Sequence, residues 1–190
     1  MSSDTSEEST RSQLVRAAVA VISSKGMRGL TLRAAAAQAG LTHGLIVRHF
    51  GTRDRLIEEA MEYAIDRSLA GSVPSGLVGT RPQLGDHLVE VGLDDGGAVA
   101  FQREVLNEAL RNPRLRGLAV KMYERYESAV REQLEGMGVV DPDVVVLVGA
   151  AMDGLVRRQM DLRDLASTER AMRALDGIVR GLGVGAQRVD

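Results

Sequence analysis

TLRAAAAQAGLTHGLIVRHF, Thr31 to Phe50, contains the residues of two short helices divided by a glycine. Thr31 predicts the cap of an alanine-rich helix, because its hydroxyl can accept a hydrogen bond from the first free amides. Gly40 ends that helix, since glycine enters the left-handed conformation that swings a chain sharply. Thr42 then caps a second, even shorter helix that runs to Arg48, His49 and Phe50. Ala36 and Ala39 are small enough for close helix contact, and Leu41 and Ile46 can plug the angle between the two helices. Helix, glycine turn, helix is the signature of a helix-turn-helix, whose second helix enters the DNA major groove while the first crosses the backbone. A plain corner in a helical bundle carries the same local signature.

Working outward, the whole chain reads as helical. Valine and isoleucine recur at three-to-four spacing, and no Asn-Gly or Asp-Gly hairpin signal occurs. A helix over about 10–25 places Leu14, Ala18, Val21 and Ile22 on one face and stops at Gly26. Thr52 caps a fourth helix with Leu56, Ala60, Tyr63 and Ala64 on its buried side. GSVPSGLVGTRPQ (71–83) is the best linker. A weak helix follows near 83–93 and another near 97–111. Asn112-Pro113 and Asp141-Pro142 each make an N-cap and first-position pair, predicting helices to about Glu135 and about Leu162. Ser167 starts the last helix, which ends near Gly181. The fold class expected is all-α, with about nine helices.

The 190 residues suffice for one or two packed domains. MSSDTSEEST (1–10) is polar and acidic, unlike a secretion signal, and no apolar run of membrane-spanning length follows. It reads as a disordered tail of a cytoplasmic protein without a membrane partner. The absence of cysteine excludes disulfides and sulfur-ligated zinc. Net charge is only −2, but its distribution is uneven. Residues 11–56 carry eight bases against the single acid Asp54, while 57–190 carry 16 bases and 22 acids. A basic first quarter on an acidic body points one segment toward a polyanion.

Catalytic and metal patterns are missing. His43, His49 and His87 show no metal-ligand spacing, and no Gly-x-Ser-x-Gly elbow occurs. GLGVGA (181–186) echoes a nucleotide loop, yet it follows a helix rather than a strand and reads as tail. No enzyme activity and no cofactor are expected. Asp153 follows the apolar run VVVLVGAAM and reads as an interface or pocket aspartate.

Arg11, Ala17-Ala18, Gly26, Thr31, Ala37, Ala39-Gly40-Leu41-Thr42, Gly44, His49-Phe50-Gly51, Arg53-Asp54 and Leu56 together resemble the DNA-binding domain of TetR-type transcriptional regulators. The resemblance spans roughly a quarter of the chain, in order and without gaps. It implies a homodimer that binds a double-stranded DNA operator and represses transcription until a small-molecule effector releases it. It departs at Val47, where the family usually places a tyrosine whose hydroxyl reaches phosphate, and at Arg53, usually lysine. Ala36 stands where an isoleucine often packs.

On that resemblance, the helix heads at Thr31, Thr42 and Thr52 suit phosphates, and Arg48, His49 and Arg53 lie where the family grips backbone. Val47 sits among them without its donor. Arg33, His43 and Leu45 face base edges, and Gly44 either lets DNA approach or relieves a clash. The expected domains are a DNA-binding domain over 11–70, a regulatory and dimerisation domain over 71–183, and a tail over 184–190. Phe101, Asn107, Met122, Tyr123 and Tyr126 are the candidate effector lining, mostly apolar with few polar handles. With five aromatics in the chain, an aliphatic or moderately sized ligand is expected. Gly149, Ala150 and Gly154 on one helix, with Leu175, Ile178 and Leu182 on the next, are the candidate dimer seam. A helical signalling or adaptor module that does not read DNA is the alternative, and the missing tyrosine is its best support.

Overall fold

Threonine caps start the short helices where the sequence places them. Ala34 N donates to Thr31 Oγ1 at 3.0 Å, Leu45 N to Thr42 Oγ1 at 3.4 Å, and Arg55 N to Thr52 Oγ1 at 3.2 Å. The computed structural model describes residues 2–70 and 97–186, and over these the chain is all-α. Its helices are α1 (Ser2–Gly29), α2 (Leu32–Gln38), α3 (His43–Phe50), α4 (Arg53–Ala70), α5 (Ala98–Ala109), α6 (Arg116–Glu135), α7 (Pro142–Leu162) and α8 (Leu165–Ala186). A 3-10 turn, Pro113–Leu115, precedes α6. The described residues therefore hold eight α-helices against the nine expected. The linker 71–83, the weak helix near 83–93 and His87 lie outside them.

The helices group into two compact units. One holds α1 to α3, α4 as far as Ser68, α5 and the start of α6 up to Met122; the other holds the end of α4 from Leu69, the rest of α6 from Tyr123, α7 and α8. In the first, α5 packs on α1, and its Phe101 and Val105 are buried in that unit's core. The stripe Leu14, Ala18, Val21, Ile22 is fully shielded, as are Leu56, Ala60 and Ala64 of α4; Tyr63 is half-buried. Between α4 and the neighbouring helices, Gln102 Nε2 donates to Ser68 Oγ at 3.3 Å, and Lys121 pairs with Glu62.

In the second unit, Val130, Leu134, Val139, Val145, Val148, Met152, Met172 and Val179 form the core. Leu175, a candidate for the dimer seam, is half-buried and packs against this cluster. Asp141 caps α7 through a 2.9 Å bond from Asp143 N, as expected. Four boundaries differ. Helical backbone begins at Ser2, inside the segment read as a disordered tail. Met27 follows a break at Gly26 (φ 69°, ψ 177°), beyond which α1 continues to Gly29. The last helix starts at Leu165 because Asp164, not Ser167, supplies the cap: Ser167 N donates to Asp164 Oδ1 at 3.0 Å. It continues to Ala186, so GLGVGA is helix rather than tail.

Gly183 shows why that last turn holds. It is buried, and a Cβ there would run into the Met137 carbonyl of the α6–α7 turn. Gly183→Ala is expected to cost about 1–3 kcal/mol of unfolding free energy through overpacking against rigid backbone. Arg163, which closes α7 in the left-handed region at φ 53°, gives the opposite test. Arg163→Gly is expected to stabilise by about 1 kcal/mol, since glycine carries no Cβ penalty there. Urea titration of both variants measures the pair.

Candidate nucleic-acid interface

Thr31 to Phe50 fold as two helices joined by a tight turn whose geometry follows from Gly40. At φ 67° this glycine is left-handed. Its amide donates to Ala37 O at 3.1 Å, and Leu41 N donates to Ala36 O at 2.9 Å. That double bond pattern is a Schellman motif, which satisfies carbonyls left without partners at the end of α2. Thr42 starts α3 two residues later. Ile46 and Phe50 bury one side of α3, with Ala35 and Ala36 buried on α2. Leu41 is half-buried in the angle.

The outer face is polar and basic. Thr31, Arg33, Thr42, His43, Gly44, Val47 and Arg48 are all exposed. Leu45, expected to face base edges, is half-buried, as is His49; both sit on the flank of α3 rather than its outermost line. Gly44 has open space around it: a Cβ would meet only Thr42 Oγ1, at 4.0 Å. Steric relief within the chain therefore does not explain this glycine. Lys25, Arg28 and Arg55 are exposed on the adjoining elements.

Two arginines counted with this basic segment turn inward. Arg53 Nε donates to Leu30 O at 2.9 Å and its Nη2 to Met27 O at 2.6 Å. The guanidinium thus ties the head of α4 to the carbonyl end of α1, where a cation also suits the helix dipole. Arg11 reaches Glu59 and the His49 carbonyl. The sequence reading missed Glu59 entirely and took Arg11 as a basic residue and a family match without assigning it a partner. The available signal was a charge on an apolar stripe: Arg11 precedes Leu14, Val15 and Ala18 by three, four and seven residues, and Glu59 stands between Leu56 and Tyr63.

The remaining expected site residues are spread over both units. Phe101 and Met122 are buried in the first, with Asn107 on its surface; Tyr123 is exposed and Tyr126 half-buried in the second. Although the side chain as a whole is exposed, partial desolvation of its hydroxyl and the negative charge of Asp153 raise Tyr123 above the usual tyrosine range, against the positive charge of Arg157. Asp153 itself is exposed. On α7, Ala150 and Gly154 are exposed and Gly149 half-buried; Ile178 and Leu182 of α8 are exposed, and so are Val146 and Leu147. No group of residues able to hold a metal ion occurs among the described residues, and none of the described helices is long and apolar enough to cross a membrane.

Residues 14–60 match the profile of bacterial regulatory proteins of the tetR family, and residues 79–182 that of the tetracyclin repressor-like C-terminal domain. An HTH-type transcriptional repressor of Mycobacterium tuberculosis is 27% identical over 77 residues, 39% of this chain and 41% of that protein. The match thus spans about two fifths of that curated relative's length. Among solved structures, a putative TetR-family transcriptional regulator from Rhodococcus sp. is 26% identical with a TM-score of 0.73, covering 92% of this chain and 97% of that one. The multidrug binding protein EbrR, solved with proflavin, is 26% identical with a TM-score of 0.59 over 87% of this chain and 97% of its own.

The inward role of Arg53 is measurable without DNA. Arg53→Ala is expected to destabilise the free protein by about 2 kcal/mol, because two backbone carbonyls lose a charged donor. Arg53→Lys recovers only part, since an ammonium does not reproduce the planar fork that spans both carbonyls. Urea denaturation reads both variants, and unchanged stability in Arg53→Ala would show that the guanidinium bears no load.

Proposed function

Since the chain belongs to the TetR family of bacterial regulatory proteins, we propose that it binds operator DNA as a homodimer and represses transcription until a small-molecule effector loosens it. The observation that carries the reading is the outer face of α2 and α3. Arg33, His43, Gly44 and Arg48 stand exposed, and the open space at Gly44 suits close approach of an outside surface. Arg33 and His43 read base edges, with Leu45 at the flank; arginine to guanine is the commonest specific contact. Thr31, Thr42 and Thr52 hold helix heads toward phosphates, Arg48 supplies positive charge beside the backbone, His49 stands next to it on the same helix, and Arg53 steadies the head of α4 from within. Val47, 41% exposed, offers apolar contact in place of the phosphate bond a tyrosine would make. The protein works in the cytoplasm, where its operator is.

The dimer forms through α7 and α8. Leu147, Ala150 and Gly154 recur along one face of α7, and Ile178 and Leu182 along α8, all exposed in the single chain. The effector binds in the helical body that follows the DNA-reading helices, drawing on the residues around Tyr123 and Tyr126. EbrR, a fold relative, is a multidrug binding protein, which supports a small-molecule ligand. Release requires differential affinity of the effector for the DNA-competent and incompetent states, and the coupling is reciprocal.

Selection of bound sequences from random duplex, followed by salt titration, tests the reading. The log–log slope of affinity against salt is expected to be on the order of −5 or steeper if about four phosphates are contacted per subunit. Arg33→Ala and His43→Ala are expected to cost about 1–3 kcal/mol each at one base position while leaving other positions alone. Failure to bind any selected duplex would favour an adaptor role instead. The dimer has its own test in Gly154→Leu. A side chain there meets nothing within 4 Å in the single chain, so the fold should survive while ultracentrifugation shows monomer. A retained dimer would place the interface elsewhere.

A further inference from the structure

We infer that Arg11 is a positioning residue for DNA reading: one guanidinium, outside the DNA-facing surface, sets the orientation of α3 on α1 and α4. The inference deepens the proposed function and rests on it. Arg11 projects from α1 and meets three partners at once. Its Nε donates to Glu59 Oε2 at 2.8 Å and its Nη2 to Glu59 Oε1, a two-pronged grip on α4. Its Nη1 donates to the His49 carbonyl at 3.3 Å, in the last turn of α3. The guanidinium carbon lies 5.0 Å from the centre of the Phe50 ring, over its face.

Each contact answers a need of a short helix. α3 has eight residues, too few to be stable or oriented by its own hydrogen bonds. The last carbonyls of a helix lack internal partners. Here Gly51 N reaches Val47 O at 2.9 Å and Thr52 N reaches Phe50 O at 2.7 Å, and Arg11 takes one of the two carbonyls between them, that of His49. A cation there also suits the negative end of the α3 dipole. Phe50, 3% exposed, anchors the same turn and receives the guanidinium on its electron-rich face. Glu59, its carboxylate held from both sides by Arg11 and at 3.8 Å by Arg55, keeps the guanidinium from swinging away. Lysine in this place offers a point charge and does not hold a carboxylate two-pronged while donating to a carbonyl on another helix. Because Arg33 and His43 read bases only if α3 and α2 keep their pitch, loosening the far end of α3 degrades discrimination before it degrades general attraction.

Arg11→Lys and Glu59→Gln in the full chain test this, with Arg11→Ala as the severe form. Two readouts separate positioning from mere stability, both taken well below the melting temperature of each variant. In the free protein, amide exchange at Phe50 and Gly51 is expected to speed up in Arg11→Lys about tenfold or more relative to the middle of α4, the change expected for losing a charged hydrogen bond. With DNA, the preference for the selected site over single-base variants is expected to fall by about tenfold, while the salt slope stays as in the parent because no phosphate contact is lost. Parental exchange rates or parental base preference in Arg11→Lys would overturn the inference. A slope flattened by about one unit with all sequences weakened alike would also overturn it, making Arg11 a phosphate contact. If the parent binds no duplex at all, the proposed function fails, and the exchange measurement alone decides whether Arg11 holds α3.

Discussion

The constraint from which the first unit follows is the shortness of α3. Eight residues cannot nucleate and hold a helix in water, yet an element that enters a groove must be narrow and must stand clear of the core. Everything around α3 compensates for that. Thr42 fixes its head, Gly40 sets the angle to α2, Ile46 and Phe50 pin its inner side, and Arg11 takes one of its last carbonyls. The helix keeps its outer line free for a partner because its inner line is fully committed.

Charge follows the same division. The first quarter of the chain looks uniformly basic, but its cations do two different things. Arg33 and Arg48 point into solvent, where the field of a polyanion reaches them. Arg53 ends on the carbonyls of Met27 and Leu30, and Arg11 on Glu59 and His49. The inward pair uses the planar fork of arginine to join the ends of separate helices. A basic stretch therefore contains both the attraction for DNA and the struts that aim it, and net charge alone does not separate the two.

The local signals in the sequence were strong where one residue type has one physical use. Threonine before a helical run, glycine at a left-handed stop and aliphatic residues at three-to-four spacing gave the helices and the turn of 31–50, and with them the all-α class. Signals failed where the outcome depends on what packs from far along the chain. Nothing local in Phe101 or Val105 says that α5 completes the core under α1. Leu175 and Ile178 sit three apart on one helix, and only the packing against Val130 and its neighbours shows that Leu175 faces inward while Ile178 faces out. Asp164 displaced Ser167 as a cap because both can do the work, and the helix took the earlier start. Arg53 carried the family's charge in sequence, but its reach to two carbonyls is a property of the folded turn.

The central claim is that the exposed line of α2 and α3 is the surface that meets DNA. Amide exchange of the full protein, with and without duplex carrying its selected site, tests it most directly. Protection is expected to concentrate between Thr31 and Arg53, greatest at the heads of α2 and α3 around Arg33, His43 and Gly44, with little direct protection along the exposed stripe of α7. Protection that falls on α7 and α8 while leaving residues 31–53 unchanged would contradict it.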